Sequence, residues 1–106
     1  MIEVWERQSV QGTLHPMMQR AQGRIAKLYH AKGERLMISS RADGEHNPGS
    51  FHYLRPCQAE DYLDRDGPNG KYVHISEIKD VLYVLEPDGY DCCQYSWGYH
   101  VEYDPA

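Results

Sequence analysis

No stretch of this chain gathers lysine and arginine on one face. Its 11 basic residues are outnumbered by 16 acidic ones, for a formal net charge of -5. Gripping a phosphate backbone needs clustered Lys and Arg, so nucleic acid is not an expected partner. Long apolar runs are missing too, which argues against membrane insertion. The opening MIEVWERQSVQG places Glu3 and Glu6 where a secretory leader would be apolar, so synthesis in the cytoplasm without a signal peptide is expected. Cysteine is scarce. Cys57 and the adjacent Cys92 and Cys93 make an odd count of three, a poor disulfide framework that reads as reduced thiols. Repeats and low-complexity linkers are also absent. The 106 residues therefore read as one domain, expected to be monomeric. Residues 1–12 form an N-terminal arm whose Val4 and Trp5 dock on the body.

What the chain does have is aromatic bulk and periodicity. Nine tyrosines and two tryptophans, within a hydrophobic fraction of 41%, can supply one modest core. Leu14, Met18, Ala21, Ile25 and Leu28 recur at helical spacing and predict a helix from about Leu14 to Lys32. Thr13 is its expected N-cap, Pro16 suits the first turn, and Gly33 is the expected stop. RLMIS (35–39) reads as a strand, 41–50 as an exposed loop, 52–62 as a second extended segment and 64–70 as another loop. Ile75, Ile78, Val81, Leu82 and Leu85 predict a second helix, ended by Pro87 and Gly89; the run VLYVL leaves a strand as the competing reading. YDCCQY (90–95) and GYHVEY (98–103) predict a hairpin turning near Ser96 and Trp97. The expected fold is α+β, a small single domain with helices packed on an antiparallel sheet.

Six histidines could carry chemistry. His15, His30 and His74 sit at predicted helix ends, where structural roles suffice. His46 and His52 bracket the turn-rich EHNPGSFHY. In the last strand His100 and Glu102 share one face, and Tyr99, Val101 and Tyr103 the other. Two histidines with downstream carboxylates are the raw material of a zinc site.

The run ISSRADGEHNPGSFHY (38–53) and the ending HVEYDP (100–105) resemble a family of zinc peptidases. These are the D-alanyl-D-alanine carboxypeptidases and phage endolysins that cut peptidoglycan. Their motif is Ser-x-His-x-x-Gly-x-Ala-x-Asp, and a strand bearing His-x-His closes the domain. The order of elements matches over roughly residues 14–105. The resemblance implies Zn2+ held by His52, Asp61 and His100, with Ser50 and Arg41 contacting substrate; Arg41 would meet a substrate carboxylate or the developing oxyanion. Asp61 is reached only through a short insertion after His52, so Glu60, Asp64, Asp66 and Cys57 compete for its role, although Cys57 reads better as a small buried hydrophobe.

Where the family carries its catalytic base, this chain has Tyr95 and Trp97, and Gly98 replaces the first histidine of His-x-His. Glu86 and Glu102 are the remaining candidates for the base, and Glu102 could instead orient the His100 ring. The implied function is hydrolysis of an amide bond in peptidoglycan stem peptides, at the bacterial cell wall after release. The alternative is a catalytically inactive descendant acting as a binding or inhibitory module, a role that would suit a phage-encoded protein.

Overall fold

The computed structural model describes residues 4–8, 10, 12–41, 56–64 and 71–105. His46, Ser50, His52 and Asp66 lie outside them, as do residues 42–50 and 65–70 of the expected loops at 41–50 and 64–70. The elements run β1 (Val4–Glu6), α1 (Pro16–Ala31), β2 (Leu36–Ser40), β3 (Ala59–Leu63), α2 (Ile75–Leu85), β4 (Tyr90–Tyr95) and β5 (Gly98–Tyr103). The five strands form one sheet in the order β1-β2-β3-β5-β4. Both helices pack on one face of it, giving the expected α+β domain. Every pairing is antiparallel except β1 with β2, which is parallel. The N-terminal arm thus docks through its backbone, while Val4 and Trp5 stay more than a third exposed.

Helix α1 starts later than its apolar pattern suggests. Thr13 and His15 spend their backbone groups on Cys57: the Cys57 N–H donates to Thr13 O (2.7 Å), and the His15 N–H to Cys57 O (2.9 Å). That short parallel bridge fixes 13–15 as extended chain, so His15 replaces Thr13 as N-cap. Its Nδ1 accepts the Met17 N–H at 3.0 Å, serving one of the orphan donors of the first turn. The helix ends as expected, with Gly33 at φ 78, a conformation only glycine adopts without strain. Met18, Ala21, Ile25 and Tyr29 are buried, and Leu28 only partly, because the helical period drifts the stripe by one position.

The helical reading of 75–85 holds over the strand alternative. Ile78 and Leu82 are buried, whereas Tyr83 and Val84 face solvent. Glu77 accepts the His74 backbone N–H at 2.9 Å, and this bond holds its carboxylate below the usual range. No described helix is long and apolar enough to cross a membrane.

Asp64, expected at the start of a turn-rich loop, is buried. Its carboxylate accepts the Tyr29 hydroxyl (2.7 Å), the Tyr72 N–H (3.0 Å) and the Val73 N–H (3.1 Å). It thereby joins the end of β3 to α1 and to the approach to α2. The Tyr99 hydroxyl donates to the Val73 carbonyl and closes the same corner. These bonds recover the cost of burying so many polar groups.

The centre of the sheet is the β3–β5 ladder, with Ala59↔Glu102, Asp61↔His100 and Leu63↔Gly98 as partners. Gly98 sits at φ 149, and a Cβ there would lie 1.9 Å from the Tyr62 carbonyl oxygen and 2.7 Å from the Asp64 nitrogen. Backbone atoms cannot yield as side chains do, so Gly98→Ala is expected to lower unfolding stability by about 3 kcal/mol. Gly23 in α1 has nothing within 4 Å of its Cβ position, and Gly23→Ala should raise stability by about 0.5–1 kcal/mol. Urea unfolding midpoints of opposite sign for the two variants check this assignment.

Candidate functional site

Strand alternation divides the chemistry between the two faces of the sheet. Glu60 and Tyr62 on β3, and Asp64 just after it, point toward the helices and are buried. Asp61 points the other way, and the register sets it opposite His100 on β5. His100 Nδ1 lies 2.8 Å from Asp61 Oδ1, and His100 Nε2 lies 2.8 Å from Glu102 Oε1. The ring therefore stands between two carboxylates. All three side chains are partly buried, at 18% exposure for His100, 14% for Asp61 and 23% for Glu102. A neutral imidazole has one N–H to donate, so it can satisfy one carboxylate only. The second contact needs a second proton, on the ring or on the carboxylate, because 2.8 Å is hydrogen-bond distance and leaves no room for an ion between the atoms.

Of the residues proposed for the site from sequence, the structure brings Asp61, His100 and Glu102 together. Among the competitors for the Asp61 role, Glu60 and Asp64 face the helices, and Cys57 is fully buried with its thiol donating to Ala59 O at 3.3 Å. His52 and Ser50 lie outside the described residues.

Arg41 is drawn into a separate network on the helix side. Its Nε donates to Glu60 Oε2 at 2.5 Å, its NH1 approaches Gly12 O at 3.4 Å, and its NH2 pairs with Glu6. Glu60 also accepts from Gln22 Nε2 at 3.1 Å and from the Tyr62 hydroxyl at 2.8 Å. Burial pushes the Glu60 carboxyl up, against the pull of Arg41, Tyr62 and Gln22. Burial also works against the Arg41 charge, but Glu60 and Glu6 outweigh it and leave the guanidinium held more firmly than usual. Arg41 thus ties β1, β2 and β3 together, and its described contacts are structural rather than aimed at the Asp61–His100 pair.

Glu86 stands on the helix side as well. It caps α2, and its carboxylate lies over Gly89. Its Oε2 is buried without a hydrogen-bond partner. The nearby Glu86 carboxylate pushes the Tyr103 hydroxyl pKa up. Tyr103 faces away from His100 on β5, so Glu86 is not brought to the pair.

Sequence reasoning missed two features. The Arg41–Glu60 pair was hidden because it depends on which way β3 alternates. The second is a group formed by Asp91, Glu102 and Asp104, whose carboxylate oxygens lie within 4.8 Å of one another. The hairpin pairing of Asp91 with Glu102 could have flagged it. A groove of about 470 Å3 beside β4 is lined by Lys79, Tyr83, Glu86, Asp91, Cys93 and Glu102 among others. At the hairpin tip, Tyr95 and Trp97 stack with centroids 5.0 Å apart and planes 4° apart.

Compared with protein-family models, curated proteins and solved structures, the chain matches none.

The opposite facing of neighbouring acids gives a sharp contrast. Glu60→Ala strips a buried partner from Arg41 and should cost about 3 kcal/mol of stability. Asp61→Asn, on the other face and partly solvated, should cost about 1 kcal/mol or less. Chemical unfolding of the two variants measures the difference.

Proposed function

We propose that this chain is a zinc-dependent peptidase-like protein acting on an amide bond of peptidoglycan stem peptides. The observation that carries the reading is the pairing of Asp61 with His100 across β3 and β5, donor atoms 2.8 Å apart. Imidazole nitrogen and carboxylate oxygen suit zinc, and the pair lies on the sheet face away from both helices. The resemblance to the carboxypeptidase and endolysin family adds His52 as third ligand. A bound zinc would supply Lewis acidity toward the scissile carbonyl and a nucleophile at neutral pH.

The chain's own residues do the rest. The ladder holds Asp61 and His100 side by side, and a zinc ion bound by both would replace the hydrogen bond between them. Ser50 is the substrate contact that the resemblance implies. Arg41 already serves Glu60 and Glu6, so substrate could recruit it only by weakening those bonds.

A second reading has its own support. The positions where the family carries its base hold Tyr95 and Trp97, and these rings are stacked on each other. Neither is a proton acceptor at neutral pH. On that reading the protein is a catalytically inactive descendant, and the stacked pair belongs to a binding face.

Metal analysis separates the two. Protein purified without added metal, or titrated with zinc afterwards, should carry one zinc per chain, lost in His100→Ala and on chelation. The zinc-loaded protein should release D-alanine or soluble stem peptides from purified cell wall. Zinc without product selects the second reading; failure to take up zinc at all rejects the metal site.

A further inference from the structure

We propose that the outer edge of β4 docks an extended, basic peptide segment of a partner protein. The inference stands apart from the zinc reading and needs no metal. β4 (Tyr90–Tyr95) ends the sheet: it pairs with β5 on one side and, among the described residues, with no strand on the other. Strand alternation leaves half of its backbone N–H and C=O groups directed to that open side. Edge strands are commonly guarded by shortness, by lysine or proline, or by a bulge. The opposite edge, β1, has only three residues. β4 has six, YDCCQY, with neither lysine nor proline, and its register with β5 runs without a shift. Such an edge is a template on which a partner's strand can be added.

The groove of about 470 Å3 beside β4 fits this use. Leu82 and Tyr83 of α2 line its helix side, and Tyr83 is 63% exposed, so that wall offers apolar surface. On the side of the sheet away from the helices, Asp91 lies opposite Glu102. With Asp104, their carboxylate oxygens come within 4.8 Å of one another. A strand added to β4 sends alternate side chains to these two sides. Apolar residues of one parity would rest on Leu82 and Tyr83, and basic residues of the other would reach the three carboxylates. Charge selects the occupant. Among the described residues lining the groove, Lys79 is the single base, against Glu86, Asp91 and Glu102. A second copy of this chain would bring another acidic rim and another net charge of -5, which disfavours β4 pairing with itself. A basic segment gains from the same field.

The test uses the full chain and fluorescein-tagged, end-capped hexapeptides, followed by fluorescence anisotropy and amide hydrogen exchange. A peptide alternating Lys and Val should bind, slow exchange at the β4 amides, and lose affinity as salt rises. The Glu–Val counterpart should bind at least about tenfold more weakly. Methylating alternate peptide nitrogens should abolish binding in one parity and spare it in the other, because only one edge of the added strand meets β4. Asp91→Lys changes an exposed side chain, so the fold should survive; it should weaken the Lys–Val peptide about tenfold and strengthen the Glu–Val one. The proposal is overturned if the Lys–Val peptide does not bind, if both peptides bind equally, or if exchange slows elsewhere and not at β4. It is overturned as well if β4 becomes protected without peptide through a concentration-dependent dimer, since the edge then belongs to a second copy.

Discussion

The β3–β5 ladder is the constraint on which the rest depends. Its register sends Glu60, Tyr62 and Asp64 toward the helices and leaves Asp61 on the other face beside His100. A slip of one residue would reverse every side chain on β3, exposing Tyr62 and burying Asp61 unpaired. Several contacts hold the register at once. Gly98 lets two backbones meet closely, Asp64 locks the end of β3 to α1 and the start of α2, and Glu60 anchors Arg41. Core stability and site geometry are therefore set by one pairing.

That coupling explains why neighbouring acids have opposite characters. Glu60 is wholly buried and satisfied by Arg41, Gln22 and Tyr62, a polar network of the kind that is strong when complete and costly when broken. Asp61 is held by strand geometry next to a histidine and keeps access to solvent.

Much of this was legible in the sequence because periodicity reports local structure directly. The second helix and the hairpin lie where their apolar spacing puts them, and alternation on β5 correctly separates His100 and Glu102 from Tyr99 and Val101. Tertiary hydrogen bonds were not legible. Thr13 looks like a cap, but Cys57 claims its carbonyl, and the role passes to His15. Asp64 sits among turn residues, but three donors converge on it from distant parts of the chain. The arm residues Val4 and Trp5 suggest burial, whereas β1 docks by parallel backbone pairing, which leaves little trace in side-chain pattern. In the site, neither the Asp61–His100 pairing nor the structural use of Arg41 could be reached from strand alternation alone, because both require the β3–β5 register and knowledge of which face of β3 looks inward.

The central proposal is that His100 and Asp61, on the open face of this ladder, both ligate a zinc ion. Crystals grown with zinc and measured at the zinc absorption edge test it most directly. An anomalous peak about 2.0–2.2 Å from His100 Nδ1 and from an Asp61 carboxylate oxygen is the predicted result. No peak, or a peak confined to the Asp91–Glu102–Asp104 group, would contradict it.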